Sequence, residues 1–147
     1  MTNRPNANRT ADTQPSNRQQ SSAALSKDGL DETLNIALNI ADAASDRKAT
    51  DIAVLAVADV SYLADYFIVM TGFSNVQVRA IARAIQQAVE ENWGRTPQHV
   101  EGVTDGNWIL LDYGDIIAHV FMPQEREYYG LEAFWGHARR IDLATAS

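Results

Sequence analysis

Residues 107–121, NWILLDYGDIIAHVF, constrain the fold most, because their pattern predicts two strands joined by a tight turn. The turn is predicted at Tyr113-Gly114-Asp115-Ile116, since glycine takes positive φ without steric cost and a two-residue Gly-Asp loop suits a hairpin. Strand side chains alternate between faces, so this turn also fixes the register. The predicted cross-strand pairs are Trp108 with Phe121, Ile109 with Val120, Leu110 with His119, and Leu111 with Ala118. Both faces are apolar, which predicts a central hairpin in a larger sheet.

The same hairpin lies in a long segment without basic residues. No Lys or Arg stands between Arg95 and Arg126. Its acidic residues include Glu101, Asp105, Asp112 and Asp115. Together with Trp108 and Tyr113 they predict an acidic, aromatic surface, which suits a basic protein partner. The alternative is a solvated acidic hairpin around a core tryptophan, because a run of charge often serves only solubility.

Length and charge narrow the class of protein. The chain has 147 residues, enough for one domain with a sizeable core. Its net charge is −7; residues 1–28 hold four basic and two acidic residues, which leaves −9 for the remainder. Such a body is poorly suited to direct nucleic-acid contact, which needs clustered Lys and Arg. The absence of cysteine excludes disulfides and thiolate metal sites.

Composition divides the chain into three parts. Residues 1–28 are rich in Asn, Ser, Gln and Arg and are predicted to be a disordered tail. Residues 29–136 are predicted to be the folded domain, and residues 137–147 a C-terminal extension. No apolar run approaches the roughly 18 residues of a membrane-spanning helix, so we expect no membrane association and a cytoplasmic location. An Arg-rich tail also leaves organelle targeting open.

The N-terminal half of the domain predicts one helix and two strands. The helix is predicted over residues 30–44 with Asp28 as its cap. Its apolar stripe is expected to comprise Leu30, Leu34, Ala37, Leu38 and Ala41. Strands are predicted at residues 51–57 and 66–71. The short link between them favours antiparallel pairing within a mixed sheet.

A second helix, over residues 75–92, is the best-marked element of the chain. Ser74 and Gln77 form a capping-box pattern at its start, and Gly94 supplies a stop. Its apolar stripe is predicted to be Val78, Ile81, Ala82, Ile85 and Val89. A short strand at residues 98–101 precedes the hairpin, and a turn or short helix follows Pro123. The fold class is therefore α/β (α+β), with a mixed sheet of about five strands and flanking helices.

Three features of the sequence could form a phosphate, metal or catalytic site. Thr71-Gly72-Phe73-Ser74, between a strand and a helix, could hold phosphate on free backbone N–H groups, which would favour a nucleotide-handling enzyme. It lacks the Lys of a P-loop, and an ordinary capped turn explains it as well. Asp112 and Asp115 could hold a metal only with further ligands nearby. His119, mid-strand among apolar residues, is typical of a packed histidine. We therefore predict no enzyme, no metal and no cofactor.

Several motifs in one order resemble the ribosomal silencing factor (Iojap) family. They are ADYFIVMTGFS at 64–74, EG at 101–102, WILLD at 108–112, GD at 114–115, HVF at 119–121 and REYYGLEAFW at 126–135. The resemblance covers residues 30–135. Two departures are Tyr113, where the family usually has a smaller or aliphatic residue, and the long N-terminal tail.

The resemblance implies both a fold and a function. The fold is a mixed sheet with flanking helices, like a nucleotidyltransferase core without its catalytic carboxylates. The function is translational repression under nutrient limitation: the protein binds the large ribosomal subunit through its fourteenth ribosomal protein, which is basic, and blocks joining of the small subunit. The resemblance also makes a homodimer plausible. By motif position, the partner-binding residues are Trp108, Asp112, Asp115, His119, Tyr129 and Glu132. Asp112 and Asp115 would accept from Lys or Arg, and Trp108 and Tyr129 would be apolar anchors.

Overall fold

A computed structural model describes residues 22–59, 63–130 and 138–143. The chain divides into two compact units, residues 1–32 and residues 33–147, and all the strands belong to the second. The elements are α1 (Ser22–Asp46), β1 (Thr50–Ala56), β2 (Tyr66–Thr71), α2 (Asn75–Trp93), β3 (His99–Glu101), β4 (Trp108–Asp112), β5 (Ile116–Phe121), α3 (Pro123–Tyr129) and β6 (Arg139–Ile141).

The described strands form one mixed sheet in the order β3-β4-β5-β2-β1-β6. β2 and β5 are parallel, and the other neighbours are antiparallel. The mixed sheet, the antiparallel β1–β2 pair and the interior position of the hairpin are all confirmed. The sheet has six strands rather than about five, because β6 pairs with the outer edge of β1.

The hairpin β4–β5 has the predicted register. Trp108 pairs with Phe121, Ile109 with Val120, Leu110 with His119 and Leu111 with Ala118. Gly114 has φ 92° at the first central position of the turn, as in type II′ turns, where glycine avoids the cost of positive φ. The Tyr113 N–H donates to the Ile116 carbonyl across the turn, 2.8 Å away.

The two faces of the sheet carry two separate apolar clusters. On one face, side chains of β4 and β5 such as Ile109, Leu111 and Val120 pack with α2 and with residues 36–44 of α1. Each fully buried aliphatic side chain there contributes roughly 1.5–3 kcal/mol. On the other face, Phe67 and Phe121 pack with a smaller group that Trp108 partly covers. The hairpin therefore contributes apolar residues to both faces, as predicted.

α2 begins and ends as its sequence predicts. The Ser74 hydroxyl accepts from the Gln77 N–H at 3.0 Å, and the Gln77 side chain accepts from the Phe73 N–H at 2.7 Å. Gly94 adopts φ 66° and donates its N–H to the Glu90 carbonyl. The predicted stripe of Val78, Ile81, Ala82, Ile85 and Val89 is buried. These contacts fix α2 across one face of the sheet.

α1 differs from its prediction in extent and in its buried stripe. The helix includes residues 22–28, so Asp28 lies inside it and the predicted cap is wrong. Ala23, Ala24 and Leu25 are strong helix formers, which offsets the cost of Gly29 in the helix interior. The buried stripe is centred on Ile36, Ala37, Ile40, Ala41 and Ala44, whereas Leu34 and Leu38 are only partly buried. The remainder of the predicted disordered tail, residues 1–21, lies outside the described residues.

Candidate protein-binding surface

An aromatic cluster covers the sheet face opposite α2. The Trp108 ring lies 4.8 Å from the Phe121 ring and 4.6 Å from the Tyr129 ring, centroid to centroid. His119 completes the cluster, with its ring 6.0 Å from the rings of Trp108 and Phe121. β4 and β5 supply Trp108, His119 and Phe121 from adjacent positions on one face, and α3 supplies Tyr129. We call Trp108, His119, Phe121 and Tyr129 the aromatic cluster.

The cluster is graded from buried to exposed. His119 is 5% exposed and Phe121 is fully buried, whereas Trp108 is partly exposed. Tyr129 is 50% exposed, and its neighbour Tyr128 is 82% exposed. Large exposed aromatic rings backed by a packed layer are typical of protein interfaces, where tyrosine and tryptophan are enriched.

A hydrogen bond between Trp108 and His119 orients the exposed ring. The Trp108 Nε1–H donates to His119 Nδ1 at 3.2 Å, which requires an unprotonated Nδ1. Burial lowers the pKa of His119 from its ordinary 6.5 to about 4, so the ring is neutral at physiological pH. The remaining proton therefore resides on Nε2, which is buried and has no hydrogen-bond partner among the described residues. Burying an N–H without a partner costs free energy. The histidine is nevertheless useful here, because its other nitrogen, Nδ1, orients Trp108.

The loop before β4 fixes the backbone of Trp108. Arg79 of α2 donates from Nε to the Val103 carbonyl at 2.8 Å and from Nη2 to the Thr104 carbonyl at 2.7 Å. Gly102 has φ 88°, and a Cβ placed on it would lie 1.9 Å from the Trp108 carbonyl oxygen. Only glycine permits this close approach, so the loop is held from both sides.

α3 is anchored to the sheet at its first turn. Pro123 occupies the start of the helix, where a missing N–H costs nothing. The Arg126 guanidinium donates from Nη1 to the Thr71 hydroxyl oxygen at 2.8 Å. This bond ties α3 to the end of β2 and holds Tyr129, one turn further on, beside Trp108.

Asp112 and Asp115 lie at the turn of the hairpin, at the opposite end of β4 from Trp108. Asp112 Oδ1 accepts from the Gly114 N–H at 2.8 Å and so stabilises the turn. Asp115 forms a bidentate ion pair with Arg95, with oxygen–nitrogen distances of 2.7 and 3.2 Å. Arg95 Nη2 also donates to the Tyr113 carbonyl at 2.8 Å. Each carboxylate thus has an intramolecular role.

The fold changes the charge distribution that the sequence suggested. In the sequence, Arg95 comes just before the segment that lacks basic residues. In the structure, its side chain forms an ion pair with Asp115 in the middle of that segment. The ion pair is only about one-third exposed, so it offsets part of the acidic field of the turn locally. The acidic surface is therefore weaker around Asp115 than the count of charges along the chain indicates.

The turn Thr71-Gly72-Phe73-Ser74 uses its polar groups internally. The Gly72 N–H donates to the Phe121 carbonyl at 2.8 Å, and the Phe73 N–H donates to Gln77. A Cβ on Gly72 would lie 3.1 Å from side-chain atoms of Val78 and Ile81, so a larger residue would require these side chains to shift slightly. Packing and capping account for this sequence, and the geometry gives no support to the nucleotide-handling alternative.

The described residues contain no group of three or more His, Asp or Glu placed to hold a metal ion. Asp112 and Asp115 face different partners, the Gly114 N–H and the Arg95 guanidinium. No helix among the described residues is long and apolar enough to span a membrane.

Of the six predicted partner-binding residues, the structure brings three together and separates two. Trp108, His119 and Tyr129 belong to the aromatic cluster, whereas Asp112 and Asp115 lie at the hairpin turn; Glu132 lies outside the described residues. Sequence reasoning missed the supporting residues Arg79, Arg95 and Arg126. The sequence does not indicate the hydrogen-bond partners of these arginines, because each partner lies 18 to 55 positions away along the chain.

The fold and this surface define a small α+β domain whose exposed aromatic layer is typical of a protein that binds other macromolecules. A family model described as "ribosomal silencing factor during starvation" matches residues 30–147. The chain belongs to this ribosomal silencing factor (RsfS) family, whose name describes a regulatory role.

Individual relatives agree with this assignment. The chain is 45% identical over 107 residues to the ribosomal silencing factor RsfS of Bacillus subtilis, covering 72% of this chain and 90% of that protein. It is 42% identical over 113 residues to the chloroplastic protein Iojap of Zea mays, covering 76% of this chain. The chain spans about half the length of the maize protein, of which the match covers 48%.

Solved structures of related proteins share the fold. A crystal structure of a Chromobacterium violaceum protein superimposes with a TM-score of 0.68 at 38% identity, covering 70% of this chain and 85% of the other. A Bacillus halodurans protein gives a TM-score of 0.64 at 32% identity, covering 76% of this chain and 98% of the other. The resemblance in sequence to the silencing factors is thus confirmed, and so is the fold class.

Proposed function

We propose that this protein represses translation by binding the large ribosomal subunit through its basic fourteenth ribosomal protein. The bound domain then blocks joining of the small subunit, and the expected setting is nutrient limitation. The aromatic cluster carries the proposal: Trp108 and Tyr129 present two adjoining rings on a rigid layer. The family membership supports the ribosome as the target.

The two exposed rings suit a basic partner because of the geometry that holds them. The indole N–H of Trp108 is used by His119 and its ring packs against Phe121 and Tyr129, so the partner would meet the exposed part of the indole together with the half-exposed ring of Tyr129. Ring faces of Trp and Tyr attract Arg and Lys side chains by cation–π interaction, worth about 0.5–2 kcal/mol each. His119 is 5% exposed, which makes it a positioning residue in this proposal rather than a contact.

Asp112 and Asp115 contribute in a different way. Both have intramolecular partners at the hairpin turn, so we assign them the support of β4 and a share of the long-range attraction to a basic surface. Glu132 stays a prediction from the family pattern.

Repression by this route needs no chemistry. A docking contact of about 800 Å² per partner would use only about a tenth of the 8213 Å² surface of the chain. The rest of the folded domain would occupy space that the small subunit needs. Affinity for one ribosomal protein is therefore sufficient for steric blocking.

Sedimentation of the purified chain with isolated large subunits tests the proposal. Trp108→Ala and Tyr129→Ala are each expected to weaken binding at least about tenfold, because central aromatic side chains are typical hot spots. Arg83→Ala is the matched control, since Arg83 is exposed on α2 and lies on the opposite side of the sheet. A subunit-joining assay then follows for the variants that fold normally.

The results separate the parts of the proposal. Binding by the wild type and by Arg83→Ala, with loss in both aromatic variants, is the expected outcome. Normal binding by both aromatic variants would place the docking surface elsewhere. If the wild type does not bind large subunits at modest salt, the proposed function itself fails.

A further inference from the structure

The sheet face that carries the aromatic cluster continues beyond Trp108 to the edge strand β3. Alternate residues of a strand share a face, so Trp108 and Leu110 of β4 lie on one side of the sheet. Glu101 of β3 pairs directly with Leu110 in the antiparallel register, which puts the Glu101 side chain on the same side. β3 is at the edge of the described sheet, and all three of its residues are exposed. A partner can therefore reach Glu101 and the aromatic cluster from one direction.

Glu101 differs from the two carboxylates of the hairpin turn, because its carboxylate has no hydrogen-bond or ion-pair partner among the described residues. Asp112 accepts from the Gly114 N–H, and Asp115 is paired with Arg95. Each of those two carboxylates would have to share or give up a contact to meet a cation of a partner. Glu101 can meet a cation while every described contact of the fold stays in place.

The charged groups around Glu101 leave this part of the face negative. β3, β4 and β5 contain no Lys or Arg. Arg79 reaches from α2 to carbonyl oxygens of the loop before β4, and Arg126 of α3 donates to the hydroxyl at the end of β2. His99 shares the face with Glu101, but its cross-strand neighbour is Asp112. The face beside the aromatic cluster therefore offers carboxylates to a partner and keeps its arginines for internal contacts.

An apolar row leads from the Glu101 carboxylate to the aromatic cluster. Leu110 is half-buried and lies next to Glu101, and Trp108 lies two residues away along β4, about 7 Å from Leu110. The Tyr129 ring follows, 4.6 Å from the Trp108 ring. A partner that covers Trp108 also removes water from Glu101, and a desolvated carboxylate without a cation costs free energy. Lys and Arg match this row, because each combines an aliphatic stem with a cationic head.

We propose that Glu101 is the carboxylate by which the docking surface selects a basic protein partner. A Lys or Arg side chain of that partner would place its stem on Leu110 and Trp108 and its cationic head on Glu101. This inference rests on the proposed function, because it takes the aromatic cluster as the docking surface. It assigns the direct charge contact to the edge strand β3 rather than to Asp112 and Asp115 at the hairpin turn.

Two substitutions of Glu101, compared by sedimentation with isolated large subunits, test the inference. Glu101→Gln keeps the size of the side chain and removes its charge, and it is expected to weaken binding about threefold, as for an exposed ion pair. Glu101→Lys reverses the charge and is expected to weaken binding at least about tenfold in about 0.1 M salt. The loss should shrink in about 0.4 M salt, because the ions then screen the charges over a shorter distance.

Glu90→Gln and Glu90→Lys are the matched controls. Glu90 is exposed on α2, which packs on the opposite face of the sheet, and the two substitutions make the same changes in net charge. They correct for any general attraction of a less acidic chain to ribosomal RNA. Lysine is common on edge strands, so Glu101→Lys is expected to fold, and urea unfolding checks each variant.

The direction of the effect separates the outcomes. Salt-sensitive weakening in both Glu101 variants, with unchanged binding in the Glu90 variants, supports the inference. Equal binding by Glu101→Lys and Glu90→Lys would overturn it and leave the proposed function standing. Stronger binding by Glu101→Lys than by Glu90→Lys would overturn it as well, because Glu101 would then face RNA phosphate. A loss that is the same in both salt concentrations would indicate a steric clash and would also overturn it. If the wild type does not bind large subunits, the proposed function and this inference fail together.

Discussion

The buried His119 predicts a specific dependence of stability on pH. Its folded-state pKa is about 4, compared with the ordinary 6.5, so the native state favours the neutral ring. The stabilisation is therefore fully present above about pH 6.5 and is lost as the pH falls toward the folded-state value. At about 1.36 kcal/mol per pH unit, the limiting loss is roughly 3.4 kcal/mol. Between about pH 7.5 and about pH 5, the expected loss from His119 alone is about 2 kcal/mol.

Urea unfolding of the wild type and of His119→Asn at the two pH values isolates this contribution. The Asn side chain can still present an oxygen to the Trp108 N–H, but it does not titrate. The other titratable groups are the same in both proteins, so the difference between their pH dependences reports His119. The wild type is expected to lose about 2 kcal/mol more than His119→Asn between the two pH values. Equal losses would refute the assignment of a neutral, buried histidine.

Three further substitutions test contacts in the loop before β4 and at the hairpin turn. Gly102→Ala is expected to destabilise the protein by more than about 2 kcal/mol in urea unfolding and to weaken large-subunit binding. Gly94→Ala is the control, because Gly94 has φ 66° but no atom within 4 Å of the added Cβ, and it should cost only about 1–2 kcal/mol. Equal costs would contradict the close contact between Gly102 and Trp108. Tyr113→Phe is expected to raise the free energy of unfolding by about 1 kcal/mol, because the buried hydroxyl has no partner among the described residues; a clear loss would show that the hydroxyl is satisfied. Arg95→Lys keeps the charge but loses the bidentate contact with Asp115, and it should lower the free energy of unfolding in urea by about 1 kcal/mol. If the variant is as stable as the wild type at both low and high salt, the Arg95–Asp115 pair does not contribute.

The sequence predicts the sheet well wherever a local rule decides the structure. The Gly114 turn alone determines the register of β4 and β5, and capping by Ser74 and Gln77 places α2 within a residue or two. The family motifs then indicate both the fold class and the family.

The predictions that fail concern elements whose structure depends on contacts with distant parts of the chain. The predicted stripe of α1 is right for Ala37 and Ala41, but the structure buries Ile36 and Ile40 more deeply than Leu34 and Leu38. β6 has only three residues and is held by its pairing with β1, so its own sequence carries little strand signal.

The candidate surface shows the same division. The hairpin register predicts that Trp108 and His119 share one face of the sheet, and the structure confirms it. Their hydrogen bond, and the diversion of Asp115 to Arg95, depend on side chains that meet only after folding.

The parallel pairing of β2 with β5 has a consequence for how the chain folds during synthesis. Every residue of β2 is buried, and Tyr66 pairs with Ile116, fifty positions later. β2 therefore has its neighbour β1 but lacks its neighbour β5 until most of the domain has left the ribosome. Folding governed by such distant contacts is slow, and an incomplete chain exposes the apolar edge of β2. A nascent copy is thus open to mispairing until residues 116–121 emerge, so this protein should depend on late, cooperative folding rather than on a stable N-terminal half.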